Sequence, residues 1–317
     1  MNSAMEIHTE HNAASSGAAT GSRGHNSGMP AVILAGICWG AISPFVRALA
    51  AAGFGSLDIM CFRTWTAAVL LFLWLLLKDR KKLRIRIQDL WMFAGSGIVS
   101  LTFFSFCYFT TIVNAGTAVA VVLLYTSPIF VMLLSAVFFR ERITRRKTAA
   151  LVMTFSGCIL VAGLLGGTGQ MSPAGFLTGI GAGVGYALYS IFAGFAVRRY
   201  ESLTVSFYTF VFSGISLFFF RSPRVLFASA GPELLPCILG IAVVCTVIPY
   251  IAYTFGLMRM EKSKAAVLVT VEPLCGTLLG LLVYREPCDA AKLLGIVLIF
   301  AAVVLLSLPG TGTGDEA

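Results

Sequence analysis

From residue 30 onward the chain runs in long apolar stretches separated by short charged ones. Ten such stretches can be delimited, at about 30–50, 57–77, 89–111, 117–138, 148–166, 174–197, 203–220, 234–256, 263–284 and 290–308. Each approaches or exceeds the ~20 residues that an α-helix needs to cross ~30 Å of hydrocarbon. The pattern therefore predicts an all-α membrane protein of ten transmembrane helices, of which the fifth and seventh are the shortest. Residues 1–29 are rich in Ser, Ala, Gly, Asn and His and nearly free of large apolar side chains. They cannot bury enough surface to offset chain entropy and are expected to form a disordered tail; residues 309–317 form a short C-terminal one. The apolar run from Pro30 is too long for a cleaved signal peptide and lacks its flanks, so it is expected to remain as the first helix.

Composition sharpens this picture. Hydrophobic residues make up 58% of the chain and charged residues 12%, against roughly 25% charged in soluble domains, and the mean hydropathy is +0.89. The net charge of +9 sits in short runs between apolar spans, which points to membrane topology and away from a nucleic-acid partner. Counting loops alternately, 17 bases fall on one face and 5 on the other, with Arg63 alone inside a span. The positive-inside rule then puts both termini in the cytoplasm, with the protein in the plasma membrane.

The chemistry of catalysis is missing. The eight cysteines contain no C-x-x-C pair, so they suggest neither a disulfide framework nor a metal site, and most fall inside spans as small packing residues. His8, His11 and His25 all lie in the tail. No H-E-x-x-H, phosphate-binding glycine loop or Ser/His/Asp set is present. Neither an enzyme nor a bound cofactor is expected.

The chain also repeats itself at a spacing of 145 residues. Pro128 aligns with Pro273, Arg140-Glu141 with Arg285-Glu286, and Lys147 with Lys292, amid matching Ala, Val and Leu positions. Gly95 and Tyr108 align with Gly240 and Tyr253. Gly36-x-x-Trp39-x-x-x-Ser43-x-Phe45 reads against Gly183-x-x-Tyr186-x-x-x-Ser190-x-Phe192. Five helices is an odd number, so a second copy enters the membrane from the opposite face. Such inverted repeats are common in secondary transporters, whose binding site lies at the repeat interface near the midplane.

Trp39-Gly40 in helix 1, Phe62-Arg63 in helix 2, Pro128 with Glu141, and Glu272-Pro273 with Glu286 occur in an order that resembles the drug/metabolite transporter superfamily, EamA type. The resemblance spans Pro30 to Leu308. It implies two EamA-like five-helix repeats, at 30–166 and 167–308, and a carrier of small metabolites, often an exporter of amino acids or related compounds. It also implies alternating access around a central cavity. The sequence departs from the family pattern at Ala150, where a glycine is usual although its repeat partner Gly295 is present. Helix 1 also lacks the acidic residue used by the small multidrug-resistance relatives.

The polar residues inside the spans are the candidates for function. Glu272 is the sole acid deep in a span, where a carboxylate costs about 2.5–3.5 kcal/mol to insert. Changing between neutral and charged forms, it can couple protons to substrate; alternatively, it caps backbone freed by Pro273. Arg63 can anchor a substrate carboxylate, pair with an internal acid, or snorkel to the interface. Trp39, Ser43, Tyr108, Tyr186, Tyr189, Ser190 and Tyr253 are candidate substrate-binding residues, since buried Tyr and Trp seek a polar partner; each can equally serve packing. Pro44, Pro128, Pro249 and Pro273 are expected to kink their helices. Glu141 and Glu286 are read as loop anchors, with gate salt bridges as the sharper alternative. Gly175, Gly179 and Gly183, and Gly276 with Gly280, have the spacing for close helix approach. The expected partners are a small-molecule substrate and the lipid bilayer, and both a monomer and a homodimer fit the sequence. The rival function is a protein that translocates lipids or hydrophobic drugs.

Overall fold

The computed structural model describes residues 28–162, 172–285 and 289–308. Residues 1–27, the C-terminal tail and Glu286 lie outside these residues; Met29, assigned to the tail by the sequence, begins the first helix. Among the described residues all regular structure is helical. Eight helices are long and apolar enough to cross a membrane: α1 Met29–Ala51, α2 Ser56–Lys78, α3 Ile87–Ala115, α4 Val119–Phe139, α6 Pro173–Ala196, α8 Pro232–Arg259, α9 Lys262–Tyr284 and α10 Ala290–Ser307. Between them lie α5, Arg145–Val161, and α7, Ser202–Phe218, of 17 residues each. They occupy the fifth and seventh predicted stretches. The end of α7 differs from expectation, because the chain turns by 90° into a short helix, Pro223–Ser229. Pro223 at the start of that helix explains the turn, since proline fits a first helical turn and not an interior.

In hydrocarbon each backbone group must be satisfied by the protein itself, and the prolines act within that limit. α1 breaks at Ala41–Ile42, ahead of Pro44; α4 breaks at Tyr125–Thr126, ahead of Pro128; α9 breaks at Val269–Thr270, ahead of Pro273. Pro273 has no N–H for the Val269 carbonyl, which instead accepts from the Glu272 N–H at 3.0 Å. Ahead of Pro249, α8 widens into a π-helical turn over Val243–Val247. α3 carries a longer one, Gly95–Thr102, with no proline nearby. In both, a threonine hydroxyl donates to the carbonyl five residues back: Thr246 to Ile241 at 2.9 Å and Thr102 to Gly97 at 3.2 Å. Such π turns leave carbonyls without their ordinary partner and often mark functional positions.

Glycines set how closely the helices approach. A Cβ on Gly36 would lie 2.4 Å from the Val271 side chain and 2.7 Å from the Val269 carbonyl, at the break in α9. A Cβ on Gly183 would lie 2.4 Å from Thr126 Oγ1 and 2.9 Å from the Leu123 carbonyl, at the break in α4. Gly240 faces the ring of Phe45, and Gly95 faces the ring of Phe192, each with a Cβ-to-ring distance of 2.3 Å. The matched motifs thus make matched contacts, each between the two halves of the chain. Gly175 and Gly179 continue the α6 stripe against Ala115 and Leu123. Gly276 does not fit this pattern, since the nearest atom to its Cβ would be the Gly40 carbonyl oxygen at 3.6 Å.

α5 and α10 pack on each other through Gly157 and Gly295, while α1, α3, α4, α6, α8 and α9 surround the centre. α4 and α9 both end on an arginine in the left-handed region, Arg140 (φ 55°) and Arg285 (φ 52°). After Arg140 the chain reverses, and the Glu141 carboxylate accepts from the Lys262 N–H (2.7 Å), the Ser263 N–H (3.1 Å) and the Ser263 hydroxyl (2.6 Å). It satisfies orphan donors at the start of α9, so Glu141 is an anchor between α4 and α9. Beside it, Lys147 pairs with Glu261 at 2.8 Å.

Gly183→Ala is expected to destabilise the protein by about 1–3 kcal/mol, because the backbone at the α4 break must move. Gly276→Ala should leave stability unchanged. Thermal unfolding of the two purified variants in detergent tests the contrast, and equal midpoints would contradict it.

Candidate functional site

Because Gly36 and Gly183 admit the broken helices so closely, the aromatic residue one turn further along each motif reaches the centre. Trp39 and Tyr186 meet there edge to face, ring centroids 6.4 Å apart. Trp39 also packs on Tyr250 (5.3 Å) and Tyr253 (5.6 Å), and Tyr189 packs on Tyr250 (5.1 Å). Tyr189, Ser190 and Tyr253 find polar partners within the bundle. The Tyr189 hydroxyl lies 2.8 Å from Thr254 Oγ1, and Ser190 Oγ lies 2.8 Å from the Tyr253 hydroxyl. These residues enclose a void of about 20 Å³, the size of one water molecule. They form an aromatic plug.

A second, larger space lies on the other side of Phe104, which lines both. This vestibule has a volume of about 420 Å³ and is lined by Ser43, Arg63, Ser105 and Tyr108, with Ile42, Val46, Met60 and Phe109 among its apolar walls. It also includes Ser56, Ile112 and Thr117, at the ends of their helices, on the face with few bases. The opposite, base-rich face is tied across by Glu141 and by the Lys147–Glu261 pair.

The two intramembrane charges stand on opposite halves of the chain. Arg63 is held from α8: its Nε donates to Thr246 Oγ1 at 3.2 Å and an Nη donates to the Cys245 carbonyl at 3.4 Å. Both acceptors belong to the π turn, so the irregularity in α8 creates the seat for Arg63. Two of the five guanidinium N–H groups are thereby engaged, and the side chain also borders the vestibule. Glu272 follows the α9 break. Its carboxylate accepts from the Tyr186 hydroxyl at 3.4 Å and lies within electrostatic reach of Arg63, Tyr108 and Tyr125. The capping alternative raised by the sequence has a backbone counterpart, because the Glu272 N–H donates to the Val269 carbonyl that Pro273 leaves free.

The residues predicted to bind substrate therefore fall into two groups. Ser43, Arg63 and Tyr108 line the open vestibule, whereas Trp39, Tyr186, Tyr189, Ser190 and Tyr253 build the plug. Tyr108 and Tyr253, matched in the repeat, are on different sides of Phe104. Sequence reasoning missed Phe104 and Thr246. Their repeat counterparts are Pro249 and Leu101, so the duplication that flagged other positions gave no signal at these.

These features define a polytopic helical membrane protein with a charged, aromatic centre between two matched halves. The EamA-like transporter family model matches residues 26–163 and again residues 173–308. The chain belongs to the EamA-like transporter family. An uncharacterized transporter of Archaeoglobus fulgidus is 26% identical over 280 residues, covering 88% of this chain and 95% of that protein. The uncharacterized transporter YwfM of Bacillus subtilis is 25% identical, with 87% and 92% covered. The uncharacterized inner membrane transporter YicL of Salmonella typhimurium is 27% identical, with 68% and 70% covered. A crystal structure with 19% identity superposes with a TM-score of 0.72, covering 88% of this chain and 96% of the other, and so shares the fold.

The plug and the vestibule differ in access. With the native cysteines replaced, Ser43→Cys is expected to react readily with a soluble thiol reagent and Ser190→Cys to resist it. Comparable labelling rates for the two purified variants would show that the plug is open.

Proposed function

We propose that this transporter is a secondary carrier in the cytoplasmic membrane that exports small metabolites, with amino acids or their relatives as the best class. In this reading ten helices form two inverted halves of five, and both termini are cytoplasmic. The crossed contacts Gly36–α9 and Gly183–α4, with Gly95–Phe192 and Gly240–Phe45, support a duplication in which each half completes the other. The excess of bases on one face supports the orientation.

The observation that carries the substrate reading is Arg63. It is fixed in place by two acceptors, keeps further donors, and borders a vestibule large enough for a small metabolite. A guanidinium fork suits a carboxylate, and the apolar walls suit an apolar side chain. Glu272, bonded to Tyr186 of the plug, is the group whose protonation couples transport to a proton gradient in this reading. The described arrangement has the vestibule on the base-poor face and ties on the base-rich face, which corresponds to an outward-open state of an alternating-access cycle. Glu141 and Lys147–Glu261 would then have to part for the inward-open state. A second reading, translocation of amphipathic lipids or drugs, draws support from the predominantly apolar walls.

Thermal stabilisation of the purified protein by a panel of amino acids and related metabolites tests the substrate class, since a ligand at a hundredfold excess over its Kd adds about 2.7 kcal/mol. Against any carboxylate that stabilises the wild type, Arg63→Ala is expected to weaken binding by about 10- to 100-fold, the worth of a hydrogen bond to a charged group. Unchanged affinity would remove Arg63 from the site; a response confined to lipids or hydrophobic drugs would favour the second reading. In proteoliposomes, Glu272→Gln should bind substrate but lose the pH dependence of transport. Wild-type rates with unchanged pH dependence would refute proton coupling through Glu272.

A further inference from the structure

A second charged space lies far from the central site in sequence and in chemistry, at the junction of the α2–α3 segment with the α6–α7 turn. Basic residues there are expected from membrane topology alone, and such loops need have no fixed shape. This one is pinned. The Tyr208 hydroxyl donates to the Leu83 carbonyl at 2.6 Å, Thr204 Oγ1 donates to the Lys82 carbonyl at 3.1 Å, and Lys82 pairs with Glu201 at 2.7 Å. The Arg86 N–H donates to the Tyr200 hydroxyl at 3.1 Å. Tyr200 in turn donates at 2.6 Å to Asp89, which is 1% exposed and whose other oxygen is bound by Arg199.

A cavity of about 560 Å³ opens between these elements, bounded by Arg84, Ile85, Arg86, Asp89, Arg199 and Tyr200. Its charge is unbalanced: three guanidiniums face one carboxylate, and that carboxylate is committed to Arg199. The guanidiniums of Arg84 and Arg86 are without a partner among the described residues. They are held at its edge by a backbone that is already ordered, so an anion bound there need not order the loop. Beside them Ile87 is 85% exposed and Trp91 is 49% exposed, and tryptophan at the end of a span marks the level of the headgroups. An occupant that suits both features has an anionic head and apolar tails.

We propose that this cavity binds the headgroup of an anionic phospholipid, whose phosphate engages Arg84 and Arg86 while its acyl chains lie along Ile87 and Trp91. The chemistry recognised is a phosphate oxyanion, for which arginine supplies a planar pair of donors, and basic pockets at membrane-facing junctions are suited to such headgroups. Arg199 acts as a positioning residue, because its charge is spent on Asp89. The assignment does not depend on which metabolite the central cavity carries.

Binding of phosphatidylglycerol to delipidated, detergent-purified protein, followed by native mass spectrometry and by thermal stability, tests the proposal. Phosphatidylcholine and inorganic phosphate serve as the comparison ligands. The wild type should retain and be stabilised by phosphatidylglycerol in preference to both. The double variant Arg84→Gln/Arg86→Gln should bind it about 10- to 30-fold more weakly, with an unchanged melting temperature in detergent alone. Arg145→Gln, which removes an exposed base elsewhere on the same face, should bind like the wild type. Wild-type binding by the double variant would overturn the assignment. So would an equal loss in Arg145→Gln, which would make the attraction a general property of the basic face. Equal stabilisation by inorganic phosphate would show a site for free anions instead of lipid.

Discussion

The structure depends on one constraint: inside hydrocarbon, a backbone N–H or C=O without a protein partner costs several kcal/mol. A bundle of unbroken helices meets it trivially and leaves nothing polar at the midplane. This chain departs from that solution at the breaks in α1, α4 and α9 and at the π turns in α3 and α8. Three of these departures show a local repair, by the Glu272 N–H at the carbonyl Pro273 cannot serve in α9 and by threonine hydroxyls in the π turns of α3 and α8. The repair in α8 has a surplus, and the surplus is where Arg63 binds.

The site follows from that arrangement. A charge within a membrane persists only if the protein supplies its surroundings, and each intramembrane charge here is met by another helix, Arg63 from the opposite half of the chain and Glu272 from its own. Arg63 of α2 is seated by α8, and Glu272 of α9 is met by Tyr186 of α6. Beside them the aromatic rings of the plug exclude all but a void the size of one water molecule. Arg63 borders the vestibule, whereas Glu272 lines neither the vestibule nor the plug's void and touches the plug through Tyr186. Separating two such spaces by side chains, and not by backbone, leaves a barrier that rotamer changes can alter.

Much of this was legible in the amino-acid order. Hydropathy located the helical stretches, because crossing hydrocarbon demands a length and an apolarity that nothing else in the sequence imitates. The internal repeat, at a spacing of 147 residues for these motifs, identified Gly36 with Gly183 and Trp39 with Tyr186; the two glycines make matched contacts on broken helices, and the two aromatic rings do meet. Other features escaped because they rest on geometry without a residue signature. The π turn of Gly95–Thr102 has no proline to announce it, and the seat of Arg63 uses a backbone carbonyl of Cys245 that any residue would provide. Tyr189, Ser190 and Tyr253 were legible as polar residues in spans, but not as groups satisfied inside the bundle, Tyr189 by Thr254 and Ser190 with Tyr253 by each other, and so withdrawn from the open space. At Gly276 the close approach that the glycine spacing suggests is present but rests on the partner glycine, since a Cβ on Gly40 would lie 2.6 Å from the Glu272 carbonyl oxygen and 3.0 Å from the Gly276 nitrogen.

The crossed glycine contacts also bear on how the protein is made. The amino-terminal half leaves the ribosome first, and at that stage Gly36 and Gly183 differ in their prospects. The groove at Gly183 can already receive α4, once α6 has been synthesised, whereas Gly36 waits for α9, more than two hundred residues later in the chain. Until then α1 presents a notch to lipid, and so does Gly95 until Phe192 arrives. Biogenesis therefore passes through an interval in which inserted helices lack their final neighbours. Assembly of the centre is a late event, completed only when the penultimate helix has entered the membrane.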